Sequence, residues 1–127
     1  MTIEILGGPT STCCNKVHLV ALEKGQDVRD VEVEVWKHQN LTEDYIKVTR
    51  DGMVPTVLHE SMVFVESTVI IRYLDRRFSN PPLTPSDPLE AMRMDLLMKD
   101  LDEKYHSAIA FLSFSEGARD RNGELTE

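Results

Sequence analysis

The sequence predicts an α/β domain built on one mixed sheet, followed by a proline-rich linker and one long helix. Two observations predict this fold class. Residues 2–35 read as strand, helix and strand, which is the pattern of a parallel βαβ unit. Residues 56–73 read as two short strands joined by a tight turn and then a helix, which is the pattern of an antiparallel ββα unit.

Each element of the first half has its own local signal. Residues 2–6 form a short apolar run that two glycines and a proline end, so we predict a strand and a loop. From about residue 12, apolar residues recur at helical spacing until Gly25, where a helix should stop. Valines alternate with glutamates over residues 31–35, which predicts a half-exposed strand. The acids within residues 42–44 favour the first turn of a short helix.

The second half of the domain begins with the hairpin. Residues 56–59 and 62–65 are β-rich and should pair as antiparallel strands. Helical spacing then resumes over residues 67–73. The complete order, β-α-β-α-β-β-α, is the thioredoxin arrangement, in which helices cover one mixed sheet. We therefore predict a thioredoxin-like domain over residues 1–80.

A linker and the start of a second domain follow. Residues 81–88 are rich in proline, which predicts a stiff linker. Asp87 is a good N-cap, Pro88 suits the first helical position and Glu90 completes a capping box, so a long helix should begin here. We assign residues 89–127 to the start of an incomplete all-α domain. One face of this helix carries an apolar stripe without a visible partner, formed by Leu97, Leu101, Tyr105, Ala108 and Leu112.

Composition and charge narrow the function classes. The chain of 127 residues can hold one sizeable core, and 41% hydrophobic with 28% charged residues is typical of a globular domain. A formal net charge of -8 repels nucleic acid phosphates and anionic membranes, so we expect neither as a partner. The N-terminus carries no basic leader or long apolar run, so we expect a cytoplasmic protein.

Cysteine and histidine usage adds two further expectations. Cys13 and Cys14 are adjacent and cannot link distant segments, so we expect free thiols in a reducing compartment. The four histidines stand far apart, without the spacing or neighbouring thiols of a zinc site. We therefore expect no metal centre.

Val54-Pro55 is the first candidate binding motif. The residue before a proline is held extended, and a proline that opens an edge strand leaves a backbone edge free for a ligand. Such a proline is often cis. Val54 could then offer its N–H and C=O to an extended, peptide-like cofactor, as an added strand does. An ordinary turn proline explains the same two residues.

Glu66-Ser67 is the second candidate motif, at the point where a strand ends and a helix starts. The Ser67 hydroxyl and the first N–H groups of the helix can bind a carboxylate, and Glu66 adds a charge for an amine. A ligand with an α-amino-carboxylate head is accommodated by these groups. Plain helix capping explains the pair equally well.

The polar loop that runs into the first helix, residues 9–16, is the third candidate motif. Its helix N-terminus gives up to about 2 kcal/mol to an anion, and a charge-assisted hydroxyl hydrogen bond gives about 1.5 to 3 kcal/mol. Together they could bring the pKa of a thiol from about 8.5 down to neutral pH. The loop carries a hydroxyl at Ser11 and thiols at Cys13 and Cys14. In the alternative, Ser11 or Thr12 caps the helix while both cysteines pack as small hydrophobes.

Together these motifs resemble the soluble glutathione S-transferase family over residues 1 to about 90. The matching stretches are Ser11-Thr12-Cys13, Lys16-Val17, Glu23-Lys24-Gly25, Val54-Pro55-Thr56, Glu66-Ser67-Thr68-Val69-Ile70, Tyr73-Leu74 and residues 83–88. The resemblance implies glutathione as co-substrate. In this family a cis-proline motif pairs with the cysteinyl backbone of glutathione, a Glu-Ser pair holds the γ-glutamyl head, and a first-loop residue stabilises the thiolate. These roles would fall on Val54-Pro55, on Glu66-Ser67 and on Ser11.

The resemblance leaves the class within the family open. Ser11 aligns with the catalytic serine of phi- and zeta-like members, whereas beta-like members would place a cysteine near Cys13 and bacterial β-aryl etherases a serine near Cys14. Asn40 stands where phi-like members carry a histidine for the glycine end of glutathione, and Met53 stands where many members carry glutamine. The resemblance thus makes Ser11 and Cys13 the catalytic candidates and adds Asn40 and Met53 to the cofactor-binding candidates.

The activity implied by the resemblance is attack of the activated glutathione thiol on a small electrophilic or ether substrate, in detoxification, by a homodimer in the full-length form. Family members are much longer, so we expect either a fragment or a short relative whose acceptor site another chain completes. Two alternatives stay open. One is a glutathione-dependent etherase or thiol-transferase that uses Cys13 or Cys14, and the other is a non-catalytic binding module of the same fold.

Overall fold

The computed structural model describes residues 2–114, and the chain divides between Leu83 and Thr84 into two compact units. The first unit contains four strands and three α-helices in the predicted order. They are β1 (Ile3–Gly7), α1 (Thr12–Glu23), β2 (Val28–Glu32), α2 (Glu43–Val48), β3 (Thr56–His59), β4 (Met62–Phe64) and α3 (Ser67–Arg77). Two short 3-10 helices, Val35–Lys37 and Gln39–Leu41, lie between β2 and α2. The thioredoxin-like α/β fold class is confirmed.

The sheet has the strand order β2-β1-β3-β4, with β1 parallel to β2 and antiparallel to β3. Leu6, near the end of β1, pairs with Thr56 at the start of β3. Val57 in turn pairs with Phe64 at the end of β4. The end of β1, the start of β3 and the end of β4 therefore lie together, at what we call the Gly7 end of the sheet.

The second strand differs from its prediction. Alternation placed it at residues 31–35, whereas β2 spans Val28–Glu32. Val33 is buried beyond the end of the strand, where its N–H donates to the Gly7 carbonyl at 2.9 Å. Val35 already belongs to a 3-10 helix. The extent of β2 follows β1, its only partner in the sheet of the described residues, and that information is absent from the local alternation.

The expectation that the proline motif opens an edge strand is wrong. β3 lies inside the sheet, between β1 and β4. Pro55 directly precedes β3, whose first residue, Thr56, is also the last to pair with β1. Val54 therefore lies just beyond the ladder, so its backbone can serve a ligand although the strand is internal.

Two apolar layers cover the sheet. Side chains alternate between the faces of a strand, so Ile3 and Ile5 lie on one face of β1 and Leu6 lies on the other. On the first face α1 and α3 pack together and bury Val17, Ala21, Ile70 and Leu74. On the second face Leu6 forms a buried cluster with Val33 and Tyr45 of α2, and Val31, Val54 and Leu58 pack against this cluster.

The second unit is a long helix with a π-helical insertion. Its described residues contain α4 (Pro88–Asp100), the π-helical segment Leu101–His106 and α5 (Ser107–Phe114). Asp87 caps it as predicted, because its Oδ1 accepts from the N–H groups of Leu89 at 2.9 Å and Glu90 at 3.1 Å. Its predicted apolar stripe is exposed at Leu97, Leu101, Tyr105, Ala108 and Leu112.

The rest of the predicted segment 89–127, from residue 115 onward, lies outside the described residues. Within residues 2–114, no helix combines the length and the apolar character needed to cross a membrane.

Candidate functional site

Three segments converge at the Gly7 end of the sheet. They are the β1–α1 loop, the residues before β3 and the residues between β4 and α3. Neighbouring strands lie about 4.8 Å apart, so these segments are side by side although they are distant in sequence. A Cβ placed on Gly7 would lie 3.7 Å from Cβ of Val54. Because α1 and α3 both begin here, two helix N-termini favour negative charge at this end.

The Val54-Pro55 peptide bond is cis, as the motif suggested. The Val54 side chain packs against the buried cluster of Leu6, Val33 and Tyr45. Its backbone lies beyond the β1–β3 ladder. The side chain is thus anchored in the core, while the N–H and C=O groups stand at the end of the sheet.

The carbonyls just before Val54 are held from inside the domain. The Tyr45 hydroxyl donates to the Met53 carbonyl at 2.7 Å, and the Thr56 hydroxyl lies 3.3 Å from the same oxygen. Asn40 Nδ2 donates to the Gly52 carbonyl at 2.8 Å. Tyr45 was missed at the sequence level, because a single tyrosine in a short helix carries no pattern that marks it as a donor.

Asn40 and Met53 differ in where their side chains lie. Asn40 Oδ1 is buried without a hydrogen-bond partner among the described residues, and its amide group supports the Gly52 turn. The Met53 side chain is 57% exposed. Their proposed contacts with a cofactor stay predictions.

Glu66 has an unusual backbone conformation at the start of α3. Its φ of 68° lies in the left-handed region, which costs a residue with a side chain on the order of 1 kcal/mol or more and is enriched at ligand sites. Glu66 occupies the N-cap position, and within the described residues its side chain makes no capping hydrogen bond. Ser67 is the buried first residue of the helix, so the capping alternative does not fit its position.

Lys16 brings a positive charge to the start of α3. Its Nζ donates to Thr68 Oγ1 at 2.9 Å and so connects α1 with the first turn of α3. The dipeptide Lys16-Val17 matches a family motif, but nothing in the local sequence marks Lys16 for this contact with α3. An ammonium beside a helix N-terminus adds to the attraction of this region for a carboxylate.

Ser11 caps α1, as one reading of the loop proposed. Its Oγ accepts from the Cys14 N–H at 3.3 Å, and its own N–H donates to the Gly8 carbonyl at 3.0 Å. A hydroxyl that accepts one hydrogen bond keeps its proton for a second one. Capping and donation to a thiolate are therefore compatible at Ser11.

The two cysteines have different environments. Cys14 is only 2% exposed, and burial raises the pKa of its thiol against the lowering effects of the Ser11 hydroxyl and the Gly8 backbone. The expectation of a lowered thiol pKa in this loop is therefore wrong for Cys14. Cys13 is half-buried. Buried thiols with raised pKa are inert, so Cys13 is the more accessible of the two nucleophiles.

A cavity lies beside this site, and its lining includes Gly7 and Cys14. It has a volume of about 420 Å³ and lies between α1 and β2, where His18 Nε2 contacts Asp30 Oδ1 at 2.7 Å. Gly8 and Pro9 of the β1–α1 loop form part of its wall. Its lining among the described residues does not reach Val54, Glu66 or Ser67.

Comparison with known sequences gives a family match. The family described as glutathione S-transferase, N-terminal domain, matches residues 6–82. A stringent starvation protein A homologue of Pasteurella multocida is 33% identical over 108 residues, which are 85% of this chain and 50% of that protein. Glutathione S-transferase 1 of Dianthus caryophyllus is 34% identical over 77 residues, covering 61% of this chain and 35% of that protein. The chain spans about half or less of the length of the curated relatives it matches.

Comparison with solved structures gives the same fold. A β-etherase from Sphingobium sp. strain SYK-6 superposes with a TM-score of 0.85 at 27% identity, over 92% of this chain and 49% of that chain. A glutathione transferase homologue from Sulfitobacter, solved with bound glutathione, superposes with a TM-score of 0.82 at 22% identity, over 93% and 56% of the two chains.

Proposed function

The chain belongs to the glutathione S-transferase family, and on that basis we propose that it binds glutathione and activates the glutathione thiol for attack on a small electrophile. The observation that carries the proposal is the convergence at the Gly7 end of the sheet. The strand register brings together a helix-capping serine, a cis-proline loop and a strained helix start, each suited to a different part of a γ-glutamyl tripeptide.

The γ-glutamyl head would bind at the start of α3. Its carboxylate would accept from the first N–H groups of the helix and from the Ser67 hydroxyl, with the Lys16 ammonium adding attraction. Its α-amine would pair with the exposed Glu66 carboxylate. The conformation of Glu66 supports this assignment, because strained backbone is enriched where ligands are held.

The cysteinyl residue of glutathione would lie along Val54. In this arrangement the Val54 N–H donates to the cysteinyl C=O and the Val54 C=O accepts from the cysteinyl N–H, as in an added antiparallel strand. The position of Val54 just beyond the β1–β3 ladder supports this, since its backbone groups are not part of that pairing.

The thiol would then lie near Ser11 at the start of α1. The Ser11 hydroxyl donates to the thiolate, and the helix N-terminus stabilises the same charge, so the thiol proton leaves to solvent. The thiolate sulfur forms a bond to the electrophilic carbon, and the leaving group departs with the electrons of the bond that breaks. The proposed steps form one carbon–sulfur bond and break one bond to the leaving group, with no net change of oxidation state that would need an oxidant.

Calorimetric titration with glutathione tests the binding step. We expect saturable binding that Ser67→Ala weakens roughly tenfold, since a hydrogen bond to a charged group contributes about 1.5 kcal/mol. Ser79→Ala is the control, because Ser79 is an exposed serine outside the site. Failure of the unmodified chain to bind, or equal weakening by both variants, would contradict the proposal.

A conjugation assay with a chlorodinitrobenzene electrophile tests the chemical step. Loss of one hydrogen-bond donor to a developing charge lowers a rate roughly a hundredfold, which is the effect we expect for Ser11→Ala. Thr10→Ala removes an exposed hydroxyl from the same loop and should leave the rate unchanged. An unchanged rate in Ser11→Ala would remove Ser11 from the mechanism.

A non-catalytic binding module is the second candidate function. Its specific support is the 33% identity to a stringent starvation protein A homologue, whose name carries no transferase activity. Tight glutathione binding without turnover of any electrophile would favour this function over catalysis.

Thiol-transferase chemistry is a third route, which would use Cys13. A thiolate at Cys13 would attack oxidised glutathione, form a mixed disulfide and release one glutathione thiolate. A glutathione adduct on Cys13 in the mass spectrum would support this route, and its absence would exclude it. We also propose a homodimer and a cytoplasmic location. The family match supports the homodimer, and the adjacency of Cys13 and Cys14, which prevents them from linking distant segments, supports the location.

A further inference from the structure

The loop that precedes Pro55 is fixed from its inner side by hydrogen bonds to successive carbonyls. The Gly52 carbonyl accepts from Asn40 Nδ2 at 2.8 Å, and the Met53 carbonyl accepts from the Tyr45 hydroxyl at 2.7 Å. The Tyr45 hydroxyl also lies 3.1 Å from the Thr56 hydroxyl. Both carbonyls therefore point toward the interior of the domain.

The direction of the Met53 carbonyl decides the direction of the next N–H group. Met53 C=O and Val54 N–H belong to one planar peptide group. In a trans peptide these two bonds point in opposite directions, and among the described residues the cis bonds are Val54-Pro55 and Asn80-Pro81. A Met53 carbonyl held inward by Tyr45 therefore directs the Val54 N–H outward.

We propose that Tyr45 is a positioning residue for the glutathione site, because its hydroxyl fixes the Met53–Val54 peptide with the Val54 N–H facing the cofactor. This inference rests on the proposed function. It gives a role to a side chain that stands on the opposite face of the sheet from α1 and α3 and touches no part of the proposed ligand.

The surroundings of Tyr45 suit this role. The side chain is 7% exposed and its ring packs with Leu6 and Val33, so the hydroxyl has little freedom to move away from the loop. Burial raises the pKa of the phenol, so the group stays a hydrogen-bond donor at neutral pH. A protonated phenol is what the Met53 carbonyl needs.

Asn40 and Gly52 support the same loop independently. Gly52 has a φ of 59°, and a Cβ there would lie 2.8 Å from the Asn40 carbonyl oxygen. The chain therefore passes close to Asn40 while the Asn40 amide holds the Gly52 carbonyl. With Gly52 fixed in this way, the orientation of the next peptide depends on the 2.7 Å bond from the Tyr45 hydroxyl and on the longer, 3.3 Å bond from the Thr56 hydroxyl.

Tyr45→Phe is the direct test, since it removes one oxygen and keeps the ring. In the 127-residue chain we expect the Kd for glutathione to rise roughly threefold to tenfold, the size of one lost neutral hydrogen bond. We also expect the NMR order parameter of the Val54 N–H vector to fall in the ligand-free protein, because only the longer Thr56 bond then holds the Met53 carbonyl.

Tyr73→Phe is the matched control. The Tyr73 hydroxyl also makes a partly buried hydrogen bond, to His59 Nδ1 at 2.8 Å. Tyr73 lies on α3, away from the Met53 carbonyl. Removal of the Tyr73 hydroxyl should lower the free energy of unfolding by about as much as Tyr45→Phe does. Glutathione affinity and the Val54 order parameter should stay unchanged. A purely structural role of Tyr45 would give the same pattern for both variants.

The outcomes separate the two proposals. Glutathione binding that is equal in Tyr45→Phe and the unmodified chain overturns the positioning role, as does equal weakening in Tyr73→Phe. Absence of binding by the unmodified chain overturns the proposed function, and the Val54 order parameter then decides the positioning of the peptide by itself. A fall of that parameter in Tyr45→Phe alone supports it.

Discussion

Lys24 Nζ lies 2.5 Å from Asp75 Oδ1, with the Lys24 side chain fully buried and the Asp75 side chain 12% exposed. The pair joins the end of α1 to α3. Lys24 also donates to the Pro81 carbonyl, and Asp75 Oδ1 accepts from the Leu83 N–H at 3.0 Å. One buried ion pair thus fixes the start of the proline-rich segment to the helices.

Removal of one charge from this pair should be costly. Asp75→Asn leaves a buried ammonium without its counterion, and we expect the free energy of unfolding to fall by about 3 kcal/mol. Urea denaturation measures it. Glu43→Gln is the control, because the Glu43–Lys47 pair is exposed and should contribute little. Similar losses of unfolding free energy in the two variants would show that the buried Lys24–Asp75 pair stabilises the fold no more than an exposed pair.

Gly7→Ala tests the close approach between β1 and α1. A Cβ on Gly7 would lie 2.3 Å from Cys14 Sγ, so we expect a loss of about 1 to 3 kcal/mol in the free energy of unfolding. Cys14→Ala in the same chain should recover most of the loss, because it removes the sulfur that clashes. Additive effects of the two substitutions in denaturation experiments would show that the clash is not the cause.

Gly52→Ala tests the turn that precedes the cis-proline loop. The added Cβ meets backbone 2.8 Å away and the residue keeps a φ of 59°, so both stability and glutathione affinity should fall. Gly25→Ala is a close control, since Gly25 has a φ of 63° with open space around it. It should lose about 1 kcal/mol from backbone strain and bind glutathione normally. Equal affinities in the two variants would argue against a role for the turn.

The buried thiol predicts how stability depends on pH. The pKa of Cys14 is raised in the folded state, so folding favours the protonated thiol. This stabilisation is complete below the unfolded pKa of about 8.5 and is lost as pH rises through the folded pKa. The free energy of unfolding should therefore decline above about pH 8.5. Cys14→Ala should show a smaller decline between about pH 8.5 and 10, and an identical pH profile would contradict the assignment.

The difference in burial between Cys13 and Cys14 predicts the order in which the two thiols are modified. Iodoacetamide at neutral pH should alkylate Cys13 before Cys14, because a buried, protonated thiol is a poor nucleophile. Peptide mass spectrometry over a time course gives the two rates, and urea should make them similar. Faster labelling of Cys14 than of Cys13 in the folded chain would contradict the conclusion that burial makes Cys14 the less reactive thiol.

Local signals were sufficient for much of the fold. The hairpin, the Asp87 cap and the helix starts follow from residues close in sequence, and all appear in the structure. The limits of β2 and the interior position of β3 do not, because both depend on β1, which is distant in sequence.

The candidate site divides in the same way. Val54-Pro55 and Glu66-Ser67 carry recognisable patterns, and the structure brings them to one end of the sheet. Tyr45 carries none, and outside the site the matching stretch Glu23-Lys24-Gly25 predicts neither the burial of Lys24 nor its ion pair. Their importance arises from burial and from partners that are distant in the chain, such as Asp75 for Lys24.

The pairing of β1, β3 and β4 has a consequence for the coupling between ligand and folding. The three segments of the site are adjacent only while both ladders are intact, so the unfolded chain has no partial site to offer. A ligand that binds only the folded state stabilises it by about 2.7 kcal/mol at a concentration a hundred times its Kd. Occupancy of the site would therefore protect the amides of all three strands against hydrogen exchange together, as one cooperative unit.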